Sequence, residues 1–202
     1  MCKVIKRACV IVCACSIFVL TSSVNSTVNP AFAEQMQKAS PHGKVVLKID
    51  TSKRELFVYA NRKLYRAFPV ALGKPATPTP IGEWRVVNKQ RDWGSGFGTR
   101  WIGINVPWGI YGIHGTNKPY SIGNYVSGGC IRMQNSNIEE LFEWVHVGTP
   151  VIILGDPLKP LRNLALGSAG ADVRLVQIRL KKLGYFHDYC DGQFETSTEE
   201  AL

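Results

Sequence analysis

Between Lys44 and Leu154 the chain consists of short runs of alternating side chains, each broken by a polar turn. Val45, Leu47 and Ile49 alternate with Val46, Lys48 and Asp50. A period of two puts each set on its own face of a strand. Thr51-Ser52-Lys53 and Ala60-Asn61-Arg62-Lys63 separate this run from residues 56–59 and 64–71, the spacing of antiparallel hairpins. Residues 73–82 hold Pro75, Pro78 and Pro80, which cannot donate to a ladder, so an irregular loop is expected there. Shorter strands are expected at residues 83–88, 101–105 and 111–114. One helix follows, with Asn135 as its N-cap and Ile138, Leu141, Phe142 and Val145 on its apolar face; Gly148 and Pro150 stop it, and residues 151–154 form a buried strand. Many short strands with one helix describe a mainly-β sandwich or small barrel.

The pattern changes after that. Residues 155–163 have linker composition. In residues 164–202 Val173, Leu175, Val176, Ile178, Leu180 and Leu183 carry a helical stripe, with Asp172 as N-cap and Gly184 as the stop. A small helical module is expected, its stripe packed as core.

The N-terminus has a separate purpose. Lys3, Lys6 and Arg7 precede an apolar run from Ala8 to Leu20, and Ala31-Phe32-Ala33 follows a polar stretch. A basic head, a short apolar centre and an A-x-A site describe a secretory signal peptide over residues 1–33, cut after Ala33. The run is short for a membrane span; if it stays uncleaved it becomes a membrane tether. The net charge of +9 falls to +6 without Lys3, Lys6 and Arg7. Outside a membrane such charge favours anionic wall polymers and lipid headgroups, and export argues against a nucleic-acid partner.

Cys2, Cys9, Cys13 and Cys15 belong to the leader, which leaves Cys130 and Cys190. The two fall in separate domains, so no disulfide is expected, and Cys190 reads as a small half-buried residue. Cys130 ends Ser127-Gly128-Gly129-Cys130, and His114 lies sixteen residues upstream in Ile113-His114-Gly115-Thr116. A thiolate is a strong nucleophile and imidazole its usual activator, lowering the thiol's pKa when the two meet. The glycines permit close backbone approach, so Gly128, Gly129 and Cys130 are candidate oxyanion donors. The Gly115 carbonyl is the local candidate to hold the imidazole tautomer. Arg132 suits a substrate carboxylate or, equally, an ion pair with Glu139 or Asp92; Ser127 is a candidate substrate contact. His42, His114, His146 and His187 are scattered, with no HExxH and no paired CxxC after the leader, so no metal site is expected.

Together, His114-Gly115-Thr116, the connecting loop and Ser127-x-Gly129-Cys130-Ile131-Arg132-Met133 resemble the L,D-transpeptidase family with a YkuD-type catalytic domain. Gly73-Lys74-x-x-Thr77-Pro78-Thr79-Pro80-x-Gly82 resembles that family's second characteristic segment. The resemblance covers residues 44–154; many members carry His where this chain has Gly128. It implies an L,D-transpeptidase-like β-sandwich or barrel acting on peptidoglycan stem peptides, with Cys130 as nucleophile, His114 as general base and acid, and no cofactor. Leu166-Gly167-x-x-Gly170-x-Asp172-Val173, Gln177, Leu183-Gly184-Tyr185, Asp191-Gly192-x-Phe194 and Thr198 resemble a small peptidoglycan-binding module, here one helix short and with part of its core expected to be exposed. Three rivals stand beside the transpeptidase: an L,D-carboxypeptidase using water as acceptor, a sortase-like enzyme (disfavoured by the short His-to-Cys spacing), and a wall-binding protein without catalysis.

Overall fold

In the computed structural model, residues 41–159 and 161–202 are described. The proposed signal peptide and its four cysteines lie outside them. Ten strands form in chain order: β1 (Val45–Asp50), β2 (Glu55–Ala60), β3 (Lys63–Pro69), β4 (Leu72–Gly73), β5 (Gly82–Arg91), β6 (Arg100–Ile104), β7 (Tyr111–His114), β8 (Tyr125–Ser127), β9 (Ile131–Arg132) and β10 (Pro150–Leu154). The helices are α1 (Asn135–Trp144), α2 (Ala171–Leu183) and α3 (Thr196–Glu200), with a 3-10 turn at Pro119–Ser121.

The hairpins follow from turn chemistry. The Asp50 carboxylate accepts the N–H groups of Ser52 and Lys53 at 3.0 and 3.1 Å and so folds the β1–β2 turn. Asn61 and Arg62 both take positive φ, 49° and 68°, between the paired Ala60 and Lys63. That is the type I′ geometry matching the twist of adjoining strands.

Eight strands lie in the order β3-β2-β1-β10-β5-β6-β7-β9, and β4 and β8 make a separate pair. Most neighbours are antiparallel, but β10 joins β1 in parallel and β9 joins β7 in parallel. Just beyond β3, the N–H of Ala71 donates to the Arg132 carbonyl (2.9 Å) and that of Arg132 to the Ala71 carbonyl (2.8 Å). The chain leaving one edge strand is thereby tied to the other edge, and the sheet curls around its core. The mainly-β expectation holds, with the sandwich-or-barrel alternative resolved as one curled sheet.

The inward positions meet in register. Leu47 lies opposite Val151 and Val58, and Ile49 opposite Ile153 and Leu56; none is more than 1% exposed. Truncating any of these to Ala would cost roughly 2–5 kcal/mol. Helix α1 adds Ile138, Leu141, Phe142 and Trp144 to the core. From β5, Lys89 Nζ donates to the Phe142 and Val145 carbonyls at 2.5 and 2.7 Å, satisfying backbone groups that the helix end leaves open.

Two capping expectations are corrected. The N-cap of α1 is Gln134, with no side-chain cap bond, because the Asn135 amide turns to other partners. The N-cap of α2 is Gly170; Asp172 sits in the first turn, where its carboxylate accepts the Val173 N–H and pairs with Arg162 at 2.6 Å. Gly184 ends α2 in the left-handed conformation, φ 85°, as expected of that residue.

Within the C-terminal part, Gln177 is 1% exposed and fully used. The two N–H groups on its Nε2 are shared among three acceptors, Asp191 Oδ1, the Gln193 carbonyl and Thr198 Oγ1, while its Oε1 accepts the Gly192 N–H at 2.8 Å. The stripe around it is only partly covered, for Leu166, Leu183 and Tyr185 are exposed. The described residues form one compact unit.

Candidate active site

Parallel pairing of β7 with β9 sets Ile113 opposite Ile131 and His114 opposite Arg132. Cys130, one residue before β9, therefore falls level with Gly112, whose backbone hydrogen-bonds the thiol. Gly112 and His114 share a face of β7, so thiol and imidazole lie on one face as diagonal neighbours. Cys130 is a free, half-buried thiol whose Sγ lies 4.0 Å from the Ile110 carbonyl; His114 is 3% exposed.

The glycine turn before Cys130 is held from within. Ser127 Oγ donates to the Cys130 carbonyl at 2.6 Å and accepts the Gly129 N–H at 3.0 Å. This buried hydroxyl is fully occupied by the turn, which argues for positioning rather than substrate contact. The same bond engages the Gly129 amide, so of the expected oxyanion donors Gly128 and Cys130 remain. Gly129 itself has φ 118°, and a Cβ there would come within 2.6 Å of the Tyr111 ring; only glycine fits. The proline-rich loop clasps the turn from outside. Lys74 N–H and Thr77 Oγ1 both donate to the Ser127 carbonyl at 3.1 Å, and Thr79 Oγ1 accepts the Gly73 N–H at 2.9 Å. The two sequence segments that look separate in the chain form one structure.

On the imidazole side, Nδ1 lies 2.5 Å from the Gly115 carbonyl. A proton on Nδ1 leaves Nε2 as the basic nitrogen. Trp101, opposite His114 in the β6–β7 register, stacks on the ring, and Phe97 meets it edge-on at 5.0 Å. Burial under these rings pushes the His114 pKa down to about 4, against the Gly115 hydrogen bond and with help from the nearby Arg132 charge. Burial likewise pushes the Cys130 thiol up, opposed by the Gly112 backbone and Arg132. The expected lowering of the thiol pKa is thus reversed: in the resting site both groups are neutral, since desolvation outweighs the neighbours that favour the charged forms.

Arg132 forms none of the ion pairs found among the described residues, including the expected alternatives with Glu139 and Asp92, and its Nε is buried without a hydrogen-bond partner. Among the described residues no three His, Cys, Asp or Glu side chains come together as a metal-binding group.

A family model describing the L,D-transpeptidase catalytic domain, YkuD, matches residues 44–153. The chain belongs to this family. The YkuD proteins of Bacillus subtilis (strain 168) and Bacillus licheniformis, both named as L,D-transpeptidases, are 41% and 43% identical to it over 107 residues; the match covers 53% of this chain and 64% of each relative. Among solved structures, the Ldtfm–avibactam carbamoyl enzyme is 30% identical with a TM-score of 0.50, covering 56% of this chain and 49% of that one.

In this L,D-transpeptidase family member, motif reasoning passed over two sets of residues. The first is the aromatic group Trp93, Phe97 and Trp101, in which Trp93 stacks on Trp101 at 5.4 Å. Its signal was present as aromatics spaced by four among glycines in Trp93-Gly94-Ser95-Gly96-Phe97-Gly98. The second is Asn135, whose Oδ1 accepts the Thr116 N–H at 3.1 Å and the Thr99 N–H at 3.4 Å. A Cβ on Gly98 or Gly115 would lie 2.2 Å from that oxygen, so both glycines admit the amide between the His114 strand and the aromatic loop.

Proposed function

We propose that the chain is an exported L,D-transpeptidase that cross-links peptidoglycan stem peptides through a thioester on Cys130. The observation supporting this reading is the β7–β9 pairing, which puts Arg132 opposite His114 and so brings Cys130, one residue before β9, alongside the strand that ends in the buried imidazole. Sγ attacks the carbonyl of the third residue of a donor tetrapeptide while its proton passes to His114 Nε2. The carbonyl oxygen becomes an oxyanion facing the N–H groups of Cys130 and Gly128, each such donor being worth about 3 kcal/mol. Collapse breaks the peptide bond, and the departing D-Ala nitrogen takes the proton from His114. An amine of a second stem then attacks the thioester, gives a proton to His114, and Sγ leaves to be reprotonated.

Starting from two neutral groups, the step creates a thiolate-derived charge and an imidazolium together. The Gly115 carbonyl stabilises the imidazolium at Nδ1. Arg132, unpaired and beside both groups, is proposed to hold a substrate carboxylate through its two-pronged guanidinium. Residues 1–33 are proposed as the export signal, which places the enzyme outside the cytoplasm against the wall, or tethers it to the membrane if uncleaved. Among the described residues no helix is long and apolar enough to cross a membrane.

The test is intact-mass detection of a Cys130 acyl adduct, with loss of D-Ala, after incubation with tetrapeptide stems, followed by product analysis. Dimers are expected, and none with Cys130→Ala. Cross-links formed by Cys130→Ala would sink the mechanism. Tripeptides without dimers would replace the transferase with an L,D-carboxypeptidase.

A further inference from the structure

A cleft of about 410 Å³ opens beside the Cys130 turn, between the proline-rich loop and the start of α2. Pro78, Ile81, Trp108 and Tyr111 line it from the β-rich part, and residues 169–172 with Arg162 from the C-terminal part; Gly128 of the Cys130 turn lines it too. The C-terminal module is seated so as to make this wall. The Arg174 guanidinium lies over Trp84 at 5.5 Å, and Trp84 meets Trp108 edge-on at 5.3 Å. Gly192 presses against Trp108 so closely that a Cβ would come within 2.5 Å of its ring. Trp108 is therefore clamped between sheet and module, presented as a fixed surface next to Tyr111.

The walls carry charges, but these are matched on the spot. Arg162 pairs with Asp172 at 2.6 Å and Lys159 with Asp156 at 3.5 Å. An electrically quiet cleft with aromatic and proline faces suits a neutral, hydroxyl-bearing ligand with an apolar ring face better than a charged peptide. Position agrees with this. With the attacked residue included, three residue lengths run from the attacked carbonyl to the sugar that bears a donor stem, and about 3.3–3.6 Å per residue puts that sugar at most roughly 10 Å away.

We infer that this cleft is a saccharide subsite of the same active site, in which the proline-rich loop and the C-terminal module together grip the amino sugar carrying the donor stem. The inference rests on the peptidoglycan reading above. It makes the module part of the catalytic cleft instead of a detached wall anchor.

The experiment compares kcat/KM for Cys130 acylation, read by intact mass, with a disaccharide-tetrapeptide and with the same tetrapeptide lacking sugar. The full chain is expected to prefer the sugar-bearing donor by about tenfold or more. Ala171→Trp, which puts an indole into the cleft from the module side, is expected to bring that preference down to about one. Equal kcat/KM for the two donors in the unmodified chain overturns the subsite and leaves acyl transfer standing; so does a folded Ala171→Trp variant that keeps the full preference. If Ala171→Trp does not fold, the two-donor comparison in the unmodified chain decides. No adduct from either donor overturns the subsite and the function beneath it together.

Discussion

Trp101 lies nearly flat against the His114 imidazole, with ring centroids 5.9 Å apart and planes 24° from parallel. A stacked indole removes water from one face of the base without giving it a hydrogen bond. The result is an imidazole that is neutral across the physiological range. Such a site avoids a standing thiolate, the form of cysteine most open to oxidation.

Phe97 closes the ring edge-on, and its removal should let water in. Phe97→Ala is expected to raise the His114 pKa from about 4 toward its ordinary 6.5. An NMR titration of the imidazole carbons measures this; an unmoved midpoint would refute burial as the cause.

Stability should depend on pH through the same group. Above pH 6.5 His114 is neutral in both folded and unfolded chains and contributes no pH dependence. Between 6.5 and about 4 the unfolded chain takes up a proton that the folded one refuses, so stability falls as pH falls and levels off below 4. The loss from this residue totals about 3 kcal/mol. Urea unfolding at a series of pH values reads it, and His114→Gln should flatten the slope over that window.

Ser127→Ala removes one donor and one acceptor from the turn that carries Cys130. A cost of about 1–3 kcal/mol is expected from the groups left unpaired. The acylation rate should fall more than substrate binding, because the Cys130 amide loses its fixed aim. Equal kcat for the variant and the parent chain would show that the turn keeps its shape without the hydroxyl.

For Asn135→Ala, the amides of Thr99 and Thr116 lose their acceptor. Faster hydrogen exchange is expected at those two positions, with α1 intact and a stability cost of about 1–3 kcal/mol. Faster exchange at the first turn of α1 instead would restore Asn135 to the capping role that its place in the sequence suggests.

What the chain's order reveals is largely what neighbours in sequence determine. The hairpins of Val45–Asp50, Glu55–Ala60 and Lys63–Pro69 were legible because alternation and turn residues are local. That His114 ends a strand and Cys130 closes the connection after it was legible too. Burial was not: the Trp101 ring reaches His114 only through strand register, and burial of Cys130 itself gives the thiol's shift the opposite sign from the one a bare Cys–His pair suggests. Asn135 misled for a related reason. A residue favoured at helix starts finds better acceptor work when folding brings Thr99 and Thr116 to it. The Gly129 amide, too, could be seen as engaged only once Ser127 Oγ was placed. Nothing in either segment alone indicates that Gly192 would meet Trp108.

The parallel partnership of Leu47 with Val151 has a kinetic side. Strand β10 lies between β1 and β5, in the interior of the eight-stranded order, yet it comes last of the ten in the chain. Until it arrives, the two halves of the sheet meet only at their far ends, through Ala71 and Arg132 and the β4–β8 pair, and each has an unpaired edge that will later be covered. Closing so long a loop makes for slow folding, on the scale of milliseconds to seconds typical of non-local β topologies. A nascent chain that stops before Pro150 would expose two apolar, pairing-competent edges at once, so the interval before β10 docks is when this protein is most open to aggregation.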